Sequence, residues 1–188
     1  MLNNKPFWIT LPVYKGKNIP IKNLEIADNN IFKRKHLGAI KSAYKKTKYF
    51  DQIYPEIEKI YSKNIKQVSE FNMELIKSFM NILNIDTSIL FASELMGEEE
   101  SLSLKGNEMV LTLAKRACAK TYISGTGCKD FIKPSTFENN NIKFIFNKVN
   151  LMEYYQYGNN EKFISNLSII DSLFNLGSSE LNNLLQCK

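Results

Sequence analysis

Side chains able to do chemistry are few, and most of them fall in one stretch. Thr121–Lys129 reads Thr-Tyr-Ile-Ser-Gly-Thr-Gly-Cys-Lys. A short β-type run opens there into Ser124-Gly125-Thr126-Gly127 and then Lys129. Two glycines separated by one small residue would let the backbone turn through positive φ and approach a ligand closely. A helix starting near Cys128 would point free N–H groups at an anion in the loop. Ser124 and Thr126 add hydroxyl donors and Lys129 adds a charge, so the stretch predicts an anion-binding loop. The plainer reading is an ordinary strand-to-helix turn, and a lone Gly-x-Gly does not separate the two.

Proton transfer has one natural candidate. His36 is the only histidine, and its ordinary pKa suits a general base near neutral pH. It falls one turn before Ile40, at the edge of an apolar stripe where a histidine more often serves structurally. Asp171, set between Ile170 and the Leu173-Phe174 pair, and Glu94 are the carboxylates that could orient this base or an attacking amine. A carboxylate among apolar neighbours needs water or a partner. Cys128, beside Gly127 and Lys129, could serve as a thiolate nucleophile, though an incidental thiol is the simpler reading. Tyr154-Tyr155-Gln156-Tyr157 is an aromatic loop, with Tyr155 the candidate for stacking on a sugar or base and core plugging the alternative. Glu98-Glu99-Glu100 could hold Mg²⁺ but reads better as a solvated loop. Three cysteines without a Cys-x-x-Cys pair, and a single histidine, predict neither a disulfide framework nor a metal site. The residue types do not identify a cofactor.

Composition limits the possible classes. The chain's 188 residues fit one domain, 1–188, and 44% hydrophobic with 23% charged residues is a globular composition. No apolar run approaches the roughly 20 residues of a membrane span. Met1-Leu2-Asn3-Asn4-Lys5-Pro6 leads into Phe7 without a cleavage-site pattern, which predicts a cytoplasmic protein. The net charge of +6 is uneven: residues 29–50 hold Lys33, Arg34, Lys35, Lys41, Lys45, Lys46 and Lys48 and no acid. Such a segment attracts phosphate-bearing ligands. Without a nucleic-acid-binding signature beside it, an anionic small molecule is the expected partner and nucleic acid is not.

These residues need elements to position them. The apolar run Phe7–Val13 predicts a strand, with Ile19, Ile21, Leu24 and Ile26 marking a weaker second one. Asp28-Asn29-Asn30 then turns the chain into a helix over Ile31–Tyr44. Pro55–Leu83 predicts one long helix or two shorter ones parted at Ser62-Lys63-Asn64. Ser88–Phe91 reads as a central parallel strand, Asn107–Cys118 as a helix, and Thr121–Ile123 as the next strand, a βαβ order over 88–124. Ile142–Phe146 adds another strand. Asn166 would cap a final helix that stops at Gly177, with a short terminal helix over Ser178–Lys188.

The wording of several segments resembles a known family. Phe7-Trp8-Ile9-Thr10-Leu11-Pro12-Val13 resembles the Trp-Leu-Thr-Val-Pro-Val segment of the WbqC-like family of bacterial glycan-cluster proteins. The likeness continues through Lys35-His36-Leu37, the Tyr44–Phe50 stretch and Ser93-Glu94-Leu95, and is strongest over Thr121–Gly127. Phe163 and Leu167-Ser168-Ile169-Ile170-Asp171-Ser172-Leu173-Phe174-Asn175-Leu176-Gly177 resemble the family's closing motif. Together with the element order, the expected fold is α/β: a three-layer Rossmann-like, mostly parallel sheet with a helical insertion over about residues 30–83.

The resemblance implies a role in O-antigen or related surface-polysaccharide synthesis. The activity it implies is transfer of glycine or another aminoacyl group to a sugar. A sugar-linked or otherwise anionic substrate and other glycan-pathway enzymes are then the expected partners. Two departures stand out. The family's usual opening, Gln-Pro-x-Tyr-x-Pro-Trp-x-Gly-Tyr-Phe, does not precede the tryptophan segment, and Asn107-Glu108-Met109 replaces the family's Thr-Glu-Arg. A shortened chain acting as a non-catalytic scaffold or binding module is therefore the alternative expectation.

Overall fold

The structure is a computed structural model and describes residues 5–14, 19–27, 30–148, 152–159 and 162–186. The chain divides into two compact units, Met1–Asp86 with Leu151–Lys188, and Thr87–Asn150.

The larger unit is built around three helices: α1 Ile31–Tyr44, α2 Phe50–Ser62 and α3 Val68–Ile82. On α1 the buried residues Phe32, His36, Ile40 and Tyr44 recur every fourth position, so a single stripe faces the core. Arg34, Lys35 and Lys41 are exposed on the same helix. The predicted break after Ser62 separates α2 from α3. However, α2 begins at Phe50 and takes Pro55 into its interior, where the ring supplies no N–H for the Asp51 carbonyl. Ile53, Tyr54, Ile57, Ile60 and Tyr61 are buried along α2. Their number shows why the helix tolerates the proline: tertiary packing outweighs one missing hydrogen bond. Lys33 Nζ donates to the Lys63 carbonyl at 2.6 Å, satisfying an otherwise open group at the end of α2.

The last helix, α8 Ile169–Gln186, breaks at Gly177 (φ 76°, ψ 174°), the predicted stop. A Cβ there would also lie 2.6 Å from the Tyr49 ring, so position 177 requires glycine for both backbone and space. Asn166 is not the N-cap of α8; it sits three residues earlier in the left-handed region, φ 59°. Leu173 and Phe174 are fully buried in the core with Ile53 and Ile57.

Phe7–Val13 does not form a strand. Only Val13 pairs, in an antiparallel bridge with Ile26, and Glu25 bridges in turn to Gln67. Ala27 N donates to the Pro12 carbonyl at 3.0 Å and Tyr14 N to the Glu25 carbonyl at 3.1 Å, but Pro12 has no N–H to extend a ladder. Of the predicted Asp28-Asn29-Asn30 turn, Asp28 and Asn29 lie outside the described residues.

The smaller unit carries α4 Ala92–Leu95, α5 Glu98–Ser103, α6 Gly106–Arg116, β1 Thr121–Gly125, α7 Pro134–Glu138 and β2 Lys143–Asn147. The two strands run parallel, with Thr121 opposite Lys143 and Gly125 opposite Asn147. Ala114, Ile132, Phe137 and Ile142 form the core, where Tyr122 stacks on Phe137 at 4.9 Å.

This is a mixed α/β chain, but the sheet is narrower than a three-layer Rossmann-like one: two parallel strands among the described residues. Ser88–Phe91, expected as a central strand, is non-regular, and its apolar run is too short to distinguish a strand from the lead into α4. The parallel crossover therefore runs from β1 to β2 rather than over 88–124. Ile123, opposite Ile145 on one face of the pair, is 62% exposed, so among the described residues no further layer covers it. The helices over 30–83, expected as an insertion, are the body of the larger unit; in chain order it is Thr87–Asn150 that interrupts.

Candidate functional site

A cavity of about 660 Å³ lies within the larger unit. Its walls come from residues 6–11, the three long helices and the 165–170 segment. Most of that lining is apolar, with Ile40, Phe71, Leu75, Phe79 and Leu167 prominent. Phe7 and Trp8 form part of it while being 56% and 88% exposed.

His36 is in this wall, placed there by the buried stripe of α1. Its Nε2 is 3.1 Å from the Thr10 carbonyl and its Nδ1 3.1 Å from the Tyr61 hydroxyl. A carbonyl only accepts, so Nε2 carries the proton and Nδ1 accepts from Tyr61. Burial lowers the His36 pKa, with the Thr10 bond opposing in part, so the ring is neutral at pH 7. Burial likewise pushes the Tyr61 hydroxyl up to about 12, which keeps it a donor. Phe32 meets the imidazole edge-on at 5.2 Å.

Two turns along α1, Tyr44 reaches a second polar centre. Its hydroxyl donates to Asp171 Oδ1 at 2.8 Å, while Tyr154 (2.8 Å) and Gln156 Nε2 (3.1 Å) donate to Oδ2. Asp171 is fully buried, and these three donors are the compensation that burial demands. Burial first, then the Asp171 charge, raises the Tyr44 pKa well above the ordinary phenol range. Tyr154 is raised by burial and by its Asp171 hydrogen bond. His36 and Asp171 thus both belong to the larger unit, but their hydrogen-bond partners are other residues. Asp171 does not orient the imidazole directly.

Tyr61, Thr10 and Tyr44 are the residues of the candidate site that sequence reasoning missed. Tyr44 and Tyr61 read as core from their helical spacing. The signal available was the phenol itself, since a buried tyrosine hydroxyl requires an acceptor. Thr10 contributes through its backbone carbonyl, which no side-chain pattern reveals.

The 124–129 stretch, in the smaller unit, is built differently from expectation. A single 3-10 turn, Thr126–Cys128, follows β1, so no α-helix starts at Cys128. Gly125 is extended (φ −69°, ψ 156°), Gly127 also avoids positive φ, and a Cβ on either would meet nothing within 4 Å. Neither glycine is needed by the backbone. Ser124 is buried and donates to the Gly125 carbonyl at 3.2 Å; Thr126 is exposed; Lys129 Nζ lies 5.6 Å from the centre of the Phe146 ring. Glu94 is exposed on α4. Cys118 is exposed and Cys128 half-buried, both free thiols. Tyr155, 71% exposed in the larger unit, edges a hollow of about 330 Å³ beside Gln156 and Phe163. Glu98–Glu100 begins a helix rather than a loop, and Glu100 pairs with Arg116 at 2.7 Å. Among the described residues no group of three or more His, Cys, Asp or Glu could hold a metal ion.

Fold and cavity together define a mixed α/β protein with a small-molecule-sized, mainly apolar site. The sequence pattern of the WbqC-like protein family matches residues 1–183, and the chain belongs to that family. The uncharacterized protein Rv1507c of Mycobacterium tuberculosis (strain ATCC 25618 / H37Rv) is 24% identical over 185 residues, covering 96% of this chain and 77% of that protein. No solved structure matches significantly. No helix among the described residues is long and apolar enough to cross a membrane.

Proposed function

We propose that this WbqC-like chain takes part in bacterial surface-glycan biosynthesis, O-antigen or a related polysaccharide, as a cytoplasmic transferase. It moves an aminoacyl (glycyl) or related acyl group onto a sugar. The observation that carries this reading is the cavity with the chain's only histidine in its wall. Its volume is that of small-molecule sites, and its wall holds the group best suited to proton transfer near neutrality. His36 acts as general base through Tyr61. An attacking sugar amine bonds the acyl carbon of a thioester donor and gives its proton to the Tyr61 oxygen while Tyr61 passes its own to Nδ1, leaving the imidazolium tied to the Thr10 carbonyl. The C–S bond then breaks, and the departing thiolate takes the proton back from Nδ1 through Tyr61. Asp171 fixes Tyr44 in the same helix stripe. Ser124, Gly125, Thr126, Gly127 and Lys129 are assigned to an anionic group, resting on the Lys129 charge and the exposed Thr126 hydroxyl. Tyr155 is assigned to a sugar face.

The test is incubation of the full chain with a nucleotide-linked amino sugar and a panel of aminoacyl and acyl thioesters, followed by mass spectrometry of the sugar. The expected product carries the added group. His36→Ala lowers kcat at least a hundredfold, and Lys129→Ala chiefly raises KM. Absence of product with every donor would sink the transferase reading.

A second reading, a non-catalytic scaffold of the same pathway, is favoured by one observation. Both His36 nitrogens and both Asp171 oxygens are already occupied by protein partners. It predicts no turnover, and retention of another glycan-pathway enzyme by the immobilised chain.

A further inference from the structure

None of the described side chains lining the 660 Å³ cavity is a lysine, arginine, aspartate or glutamate, and its histidine is neutral. The inner polar atoms are engaged as well: His36 by Thr10 and Tyr61, Tyr44 by Asp171. A phosphate or an amino-acid zwitterion would enter without its water and find no opposite charge. An uncharged apolar group has no such penalty and gains by leaving water.

Length selects among apolar groups. Phe71, Leu75 and Phe79 line the cavity along α3, and His36, Ile40 and Tyr44 along α1. Each set spans eight residues, about 12 Å of helix. A single aromatic ring covers about half of that. An extended chain advancing about 1.2 Å per bond covers it in about ten bonds. The polar lining residues Asn72, Ser165, Asn166 and Ser168 are exposed, which places hydrogen-bonding groups toward solvent beside the apolar trough.

We propose that this cavity binds a medium-length acyl chain carried on an uncharged polar head. This deepens the transferase reading and rests on the cavity being its substrate site: the group handled there is a fatty acyl group and not a glycyl group with its ammonium charge.

Two intrinsic reporters make the test direct. Trp8 is the chain's only tryptophan and His36 its only histidine, and both line the cavity. The full chain is titrated, below micelle concentrations, with n-decyl and n-octyl glucoside, and with glucose, glycine and inorganic phosphate. The expected result is a saturable one-to-one blue shift of Trp8 emission together with a shift of the His36 imidazole NMR signals. Decyl glucoside should bind more than tenfold tighter than octyl, because each buried methylene contributes about fourfold. Glucose, glycine and phosphate should leave both reporters unmoved. Ala39→Phe, which fills the trough from α1, should weaken decyl binding at least tenfold with the His36 signals of the free protein in place.

Three results would overturn the proposal, and none depends on a variant that might misfold. They are no saturable response of the unmodified chain to either glucoside, a Trp8 response without any at His36, or saturation of both reporters by glycine or phosphate. Product formation on a sugar without alkyl binding would remove this site assignment alone. Alkyl binding without any product would remove the transferase reading and leave the site.

Discussion

The larger unit's interior and the smaller unit's 124–129 loop hold the chain's two sets of chemically able residues, and they are built by opposite rules. In the interior the titratable groups have specific partners: His36 with Thr10 and Tyr61, Asp171 with Tyr44, Tyr154 and Gln156. In the loop the residues are mostly exposed, the glycines have ordinary backbone angles, and Lys129 contacts an aromatic face. The loop carries the louder sequence motif and the interior carries the more constrained chemistry. Spacing of residue types reports what a backbone could do; burial reports what it must satisfy.

The sharpest way to break this contrast is Asp171→Ala. It would leave the Tyr44, Tyr154 and Gln156 donors buried without their acceptor and open space in the core. We expect a loss of about 4 kcal/mol, measured by urea unfolding. A loss under about 1 kcal/mol would mean water reaches the carboxylate and the network is not sealed.

Glycines sharpen the same comparison at a smaller scale. Gly177→Ala places a Cβ within 2.6 Å of the Tyr49 ring at a φ of 76°, and should cost about 3 kcal/mol. Gly125→Ala and Gly127→Ala meet open space at ordinary φ, and should change stability by less than about 0.5 kcal/mol. A Tyr49→Ala background should recover part of the Gly177→Ala loss while leaving the loop variants unaffected. Equal effects at 177 and 125 would erase the distinction between a required glycine and an incidental one.

Legibility in the sequence followed the same division. Helix α1 was readable to the residue from Leu37, Ile40 and Tyr44 at helical spacing, although the buried stripe itself is Phe32, His36, Ile40 and Tyr44. Gly177 was readable as a stop, since glycine ends helices at positive φ. Strands were readable only in part: Thr121–Ile123 and Ile142–Phe146 fall in β1 and β2, whereas Phe7–Val13 and Ser88–Phe91 have the composition of strands but do not form them, since pairing needs a neighbour that composition does not name. At the site, Asp171 announced itself as a carboxylate in need of partners, but one partner comes from α1, 127 positions away, and the others from the non-helical residues 154–156, 15 and 17 positions away. His36 was visible by being unique; the Thr10 carbonyl that fixes its tautomer carries no sequence mark.

The smallest effect tests the His36 half of the interior. Its pKa in the folded chain lies below the unfolded value of 6.5, so the native state binds fewer protons than the unfolded one as pH falls through that value. The contribution of the neutral ring is therefore complete above pH 6.5 and declines below it, until the folded pKa is reached. The decline approaches at most about 1.4 kcal/mol per pH unit. Carboxylates titrate lower in the range and add their own slope, so the quantity to measure is the difference between the unmodified chain and His36→Asn from pH 7.5 to 5. That difference should narrow as pH falls, because the asparagine has no proton to gain. If instead the unmodified chain gained on the variant toward acid pH, the imidazole would be cationic in the fold. Tyr61 could then no longer donate to Nδ1, and the relay from Tyr61 through His36 to the Thr10 carbonyl would have to be abandoned.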